Sequence, residues 1–483
     1  MASSSSAPSA AVLVARYLKS HQYNETLETF VREAKLPQSS ISDTDNEHED
    51  STWTIEKLLE EKIAFDHSIS YEKRDDNNGK RWSLPAPSSP TLISSIISAN
   101  ILSATIQPWE YAVKKQALVV STSDRRLTII DPSMDSLPLM LSRTCKSPIL
   151  SCVTLLGGRY LAVTNMEGVL DILDSKNLET VYSVRNHSRF AVMVTAYEET
   201  EKDRIWLATA GWDWKVMVYK LDYDEHDHLL PFEEGVNFNI EVTSNPECVL
   251  ITRDQDTNNL ILVLSRKDSQ YLEYYLLDSP AQTEQQGEIS YLGRQNLAPQ
   301  SSAWTPFSPS YFKRCPTDPG LLAISTSSEP YMKILIVRML ILSSPQAQEQ
   351  EQSDTLSTSF SNLSLSQSQS QTQTQHREDS AILMQCTAPA PQTPYSTPQI
   401  AWRVDGSGVW INGEDGVVRG VDLSSGEVVA VLGGKGEKKG HEVGSKVRSV
   451  WAGVVRSTSE DGKEKEEEWV VSGGFDKRVI VWR

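Results

Sequence analysis

The sequence predicts a mainly β protein: a seven-bladed β-propeller preceded by a small N-terminal α-helical hairpin. Two observations carry that expectation. A strand–turn–strand unit recurs seven times after about residue 91, and two short helical patterns precede it. Length agrees, because 483 residues exceed what one compact core organises unless the fold is a barrel or a repeat array.

In chain order, residues 1–8 are Ser/Ala/Pro-rich and read as a disordered tail. Over 9–36, Val14, Leu18, Tyr23, Leu27, Phe30 and Val31 recur at three- and four-residue steps, broken at Ser20-His21-Gln22. That pattern is two amphipathic helices of about ten residues, each too short to hold alone in water. Their apolar faces need a partner, either a second copy or the chain's own β domain. Residues 37–50 are an acidic, Ser-rich linker. Ser51-Thr52 can then cap a helix over 51–70, with Ile55, Leu58, Leu59 and Ile63 on one stripe. Residues 71–90 are polar, contain proline and read as a second linker.

The hairpin resembles the LisH motif in Val14, Tyr17-Leu18, Tyr23, Leu27, Phe30 and Glu33. That family commonly has Gly before the second Tyr; here Gln22 stands there, so a less tight turn is expected. The resemblance implies self-association through these residues.

The repeated units are 117–131, 160–174, 205–222, 260–278, 321–339, 409–426 and 469–483. Each is a β-branched, aromatic-rich strand, a polar turn and a second such strand. One insertion interrupts the series: 343–380 is Gln/Ser/Thr-rich and reads as a disordered loop within a blade. The last unit needs one more strand, and 91–98 (TLISSIIS) supplies one, so pairing the two would close the ring without a free edge.

Two units resemble WD40 repeats in detail. Gly440-His441, Ser472, Asp476 and Trp482 match that family's buried tetrad, and His187, Thr209, Asp213 and Tyr219 occupy the corresponding positions of the third unit. The Trp-Asp dipeptide is absent throughout. The resemblance implies that these groups are structural, linking the turn Asp through His and Ser/Thr to the aromatic residue. The same residue types occur in hydrolase triads, yet no GxSxG nucleophile turn accompanies them. No catalytic site is expected.

Other function classes lose support from composition. Lys and Arg total 46 against 64 Asp and Glu, a net charge of −18 that repels phosphate backbones at long range, so no nucleic-acid partner is expected. Five scattered cysteines make no CxxC pair, and the histidines form no HExxH, so neither a metal nor another cofactor is expected. The alternating acids at Asp43, Asp45, Glu47, Glu49 and Asp50 lack the glycine and closing Glu of a calcium loop. GGKGEKKG (433–440) reads as a mobile loop. The amino-terminal segment lacks the basic start of a signal peptide, and the longest apolar run, Ile334 to Leu342, is short and carries Arg338. A protein off the membrane, in the cytoplasm and/or the nucleus, is expected.

For partners, Arg125-Arg126, Trp212 and Trp214, and Lys477-Arg478 occupy matching turns of three units. Gathered on one rim they would form a protein-binding surface; packed between blades they would be structural. The combined layout resembles subunits of ubiquitin-ligase, transcriptional corepressor and microtubule-motor regulatory assemblies. The expected function is a non-enzymatic dimeric scaffold, with a ubiquitin-ligase or nuclear regulatory complex favoured. The alternative is an enzyme whose active site lies in the propeller channel. Against the alternative, the inner strands legible in the sequence, 149–156 and 189–196, are apolar.

Overall fold

The structure is a computed structural model describing residues 10–36, 82, 85–93, 96–230, 238–255, 257–277, 289–300, 307–341, 375–434, 439–458 and 464–483. The expected tail 1–8, acidic linker 37–50 and helix 51–70 lie outside these residues, as does most of the insertion 343–380. The chain divides into two units, Met1–Gly79 and Lys80–Arg483.

In the first unit, α1 (Ala10–Ser20) and α2 (Asn24–Glu33) form a helical hairpin. Alanines favour α1, and Lys19 in its last turn complements the helix dipole; α2 carries Glu25 in its first turn and Arg32 in its last. The turn is not looser for lacking glycine. Tyr23 N–H donates to Leu18 O at 2.9 Å, and Gln22 takes φ +60°, the left-handed conformation that glycine favours. Only the sterics change, at a cost of about 1 kcal/mol. Ala15 is buried, whereas Val14, Tyr17, Leu18, Leu27 and Phe30 are half-buried and Tyr23 and Glu33 exposed. No residue of α2 is buried.

In the second unit, the described strands form seven four-stranded antiparallel sheets. Their inner strands are Ile101–Pro108, Ile149–Leu155, Ala191–Glu199, Pro246–Arg253, Ser308–Arg314, Ile400–Trp402 and Val447–Thr458, in blades 1 to 7. Every repeated unit of the sequence forms the second and third strands of one blade, as in Gln116–Thr122 with Arg126–Ile130 of blade 1. Alternation then places each strand's apolar residues against the next blade. One apolar cluster lies between each adjoining pair of blades, including Trp469 between blades 7 and 1 and Trp482 between blades 6 and 7.

The ring closes through strand pairing. Pro90–Ile93 lies antiparallel to Val479–Trp482, with Pro90 opposite Trp482 and Ile93 opposite Val479. Ser88 and Ser89 N–H both donate to Arg483 O, at 2.9 and 3.0 Å.

Two expected boundaries shift. Trp82 was placed in the linker 71–90, yet its ring packs against Trp410 of blade 6 at 5.1 Å and under the Arg403 guanidinium at 4.3 Å. Gly420 makes room, since a Cβ there would sit 2.1 Å from the indole. The end of the insertion is also ordered: 375–380 is helical, and the Glu378 carboxylate accepts a hydrogen bond from Asn296 N–H at 2.7 Å. No described helix is long and apolar enough to cross a membrane.

Candidate interaction face and channel

The turn between the second and third strands recurs around one rim of the ring. Arg125, Gly168, Trp214, Gly416 and Lys477 occupy the same left-handed position in five blades, with φ between 62° and 81°. Main-chain pairing holds that residue in place: the Arg125 and Trp214 carbonyls accept hydrogen bonds from the outer-strand Cys145 and Val242 N–H groups, at 2.8 and 2.9 Å. Its side chain is left free to project.

In blades 3 and 7 a buried network supports the turn from beneath. His441 Nδ1 lies 3.0 Å from both Asp476 carboxylate oxygens and Nε2 lies 2.9 Å from Ser472 Oγ, which accepts the Trp482 indole N–H at 3.0 Å. In blade 3, His187 bridges Asp213 and Thr209, both at 2.8 Å, and the Tyr219 hydroxyl accepts from Asn186 at 3.3 Å. The carboxylates also accept main-chain N–H groups, Ser188 for Asp213 and Glu442 for Asp476, each at 2.9 Å. Burial holds His187 below its ordinary pKa, so its ring is neutral and needs one donor and one acceptor, both of which it has. Burial opposes the charge on Asp476, yet the His441 hydrogen bond holds its carboxyl below the usual range. Gly211 and Gly474 let the histidines approach: a Cβ at Gly211 would lie 2.2 Å from His187 Nδ1. Ser472 and Thr209 are fully buried, and His187 and His441 are buried with them, so the networks are closed to solvent.

On top of these networks the rim is exposed. Trp212 and Trp214 are 40% and 53% exposed, and Phe190 stacks on Trp212 at 5.3 Å. Arg125, Arg126 and Lys477 are exposed too, as is Phe475. Arg478 is not available in the same way: its guanidinium donates to Gly440 O at 2.7 Å and to Glu442 at 3.1 Å. Five of the six expected surface residues therefore project, and Phe190 and Phe475 join them.

The inner strands enclose a central channel of about 640 Å³. Register shifts occur near the start of six of them, between Ile101 and Ser103 in blade 1 and between Val447 and Ser449 in blade 7, for example. The extra residue of each β-bulge lines the channel: Leu102, Leu150 and Val192 in blades 1 to 3, then Glu247, Ser310 and Arg448 in blades 4, 5 and 7. The two inner strands read as apolar, 149–156 and 189–196, contribute Leu150 and Val192 to one side of the channel. Tyr311 and Lys313 line the other side, with the Lys313 ammonium 5.4 Å from the Tyr311 ring. Lys313 is open to channel water while ringed by protein, and Tyr311 raises its pKa, so it stays charged. Burial pushes the Glu247 carboxyl up to about 7 against the pull of Lys267 and Arg448. Burial also pushes the Cys152 thiol up to about 11. Among the described residues, no group of three or more His, Cys, Asp or Glu side chains could hold a metal.

Reading the sequence missed Trp82 and the channel charges. An isolated aromatic in a polar segment carries no periodicity, and the facing of Glu247 and Arg448 depends on a one-residue bulge. The signal that could have found Lys313 is the pair of cations, Lys313-Arg314, that ends its strand.

A family model described as UCP007778, beta-propeller domain, matches residues 76–293 and 304–459. No curated protein matches the chain.

Proposed function

Because this chain belongs to that beta-propeller domain family, we propose that it is a non-enzymatic scaffold that binds other proteins through the rim of its turns. The observation that supports this most is Trp214. A bulky side chain at φ +66° costs about 1 kcal/mol relative to glycine, and that cost places an indole in solvent beside Trp212 and Phe190. Exposed aromatics flanked by arginine and lysine are the usual anchors of a protein interface.

The helical hairpin is the second half of the reading. As a LisH motif it pairs two copies through Val14, Tyr17, Leu18, Tyr23, Leu27 and Phe30, with Glu33 at its edge. Two linked rims then bind a multivalent partner with added avidity. A subunit of a ubiquitin-ligase or nuclear regulatory complex, in cytoplasm or nucleus, fits this layout; a microtubule-motor regulator is the runner-up. Catalysis in the channel has little support: the Cys152 thiol, pushed up to about 11, is protonated at neutral pH, and a thiol is a poor nucleophile. The net charge of −18 disfavours nucleic acid.

Sedimentation of the full chain tests the dimer. We expect a dimer that Leu27→Asp with Phe30→Asp converts to monomer; a monomeric wild type would remove the bivalent half. Affinity capture with mass spectrometry tests the rim. Partners retained equally by wild type and by Trp212→Ala with Trp214→Gly would place the interface elsewhere.

A further inference from the structure

Beyond the scaffold role and independent of it, we propose that the central channel binds a small molecule carrying an anionic group, a carboxylate or a phosphate, on an apolar body. Its charge is the first reason. Among the described residues, Lys313, Arg314, Arg403 and Arg448 line the channel against a single carboxyl, Glu247, in a protein whose net charge is −18. Two of these cations are spoken for: Arg314 donates to Thr252 at 2.8 Å, and Arg403 pairs with Glu468. Lys313 and Arg448 form no ion pair among the described residues: Lys313 meets the neutral Tyr311 hydroxyl, and Arg448 feels Glu247 only at a distance.

The fold does not require those two charges. At the level of Lys313, the register places Thr105, Val153, Thr195, Leu250 and Trp451 in other blades, all neutral. At the level of Arg448, blades 1 to 3 carry leucine and valine, blade 5 carries Ser310, and blade 4 carries Glu247, whose charge burial opposes. A charge ringed by protein loses hydration, and low-dielectric walls focus its field into the cavity. Both cations lie close enough to Tyr311 to feel it electrostatically, which puts them on one side of the channel. The apolar arc of Leu102, Leu150 and Val192 belongs to the other blades. An anion on the cationic side with its body against the arc uses both halves. The volume of about 640 Å³ falls in the range of small-molecule sites, about 300–1,000 Å³.

The test is calorimetric titration of the full chain with phenyl phosphate and with phenylacetate, and with neutral phenylacetamide as comparison. At least one anion should bind, at least about tenfold more tightly than the amide; which one binds better separates phosphate from carboxylate recognition. Lys313→Gln and Arg448→Gln should each weaken the anion about tenfold, as expected for loss of a charged hydrogen bond. Lys176→Gln, exposed in the turn before the outer strand of blade 2, should change nothing. Should Lys313→Gln not fold, Lys313→Thr introduces the residue that blades 1 and 3 carry at that level. No binding, equal binding of anion and amide, or anion binding unmoved by substitution of Lys313 and Arg448 in folded protein would each overturn the proposal.

Discussion

Blades 3 and 7 build the same turn on the same buried network and present different chemistry above it. Beneath, His187 and His441 make matching contacts to Asp213 and Asp476. Above, blade 3 shows Trp212 and Trp214, where blade 7 shows Phe475 and Lys477. At their far ends both networks reach an aromatic residue, Trp482 at Ser472 and Tyr219 at Thr209, and the Tyr219 hydroxyl takes a further hydrogen bond from Asn186. The difference teaches a division of labour. The left-handed position also carries Arg125 in blade 1, where Thr122 bonds Asp124 with no histidine between them, so the rim residue varies independently of what lies beneath.

The comparison can be broken most forcefully at Trp482. Trp482→Ala empties a fully buried site and removes the donor to Ser472, so a loss of about 3–5 kcal/mol is expected in urea unfolding. A loss below 1 kcal/mol would mean that the network is ornamental. Next come the turn carboxylates. Asp213→Ala and Asp476→Ala each leave a histidine and a main-chain N–H without an acceptor, and each should cost about 2 kcal/mol. Clearly unequal losses would refute the equivalence of the two blades.

Acidity sharpens the comparison from blade 3. His187 has a lowered pKa in the folded chain, so between that value and the ordinary 6.5 the unfolded chain binds more protons. The neutral ring's contribution to stability is present above pH 6.5 and lost as pH falls through the folded value. Thermal melts at pH 7 and pH 5 should therefore converge for wild type and His187→Gln as the solution becomes acidic; a constant gap would contradict this. The smallest effect is expected on the rim. Trp214→Gly relieves the left-handed strain and should raise stability by about 1 kcal/mol while weakening partner capture. Lys477→Gly should stabilise similarly, and a differing effect on capture would show which blade anchors the partner.

Much of this architecture was legible in the sequence because it rests on local signals. Alternating strands around polar turns are visible within fifteen residues, and all seven became the second and third strands of blades. Residues 209–219 and 472–482 align without a gap in the sequence because the two turns have equal length, glycines included. Closure by Pro90–Ile93 could be reasoned from an unpaired edge. What escaped depends on long-range geometry. Trp82 packs on blade 6, more than three hundred residues away in sequence, through the gap at Gly420. Glu247 and Arg448 turn to the channel through bulges that shift the strand's facing by one residue, and no pattern of period two reveals such a shift. In the hairpin, Gln22 reads as a departure from the motif; only the backbone reveals that it adopts the conformation of the glycine it replaces.

The pairing of Pro90–Ile93 with Val479–Trp482 has a consequence for the chain's birth. While a ribosome extends the polypeptide, the first strand must wait for the last, and the earlier blades stand as an open arc with an unmatched apolar side. Such high contact order slows folding and leaves a sticky intermediate exposed. Nascent chains truncated before residue 479 should therefore recruit holding chaperones that the finished ring releases.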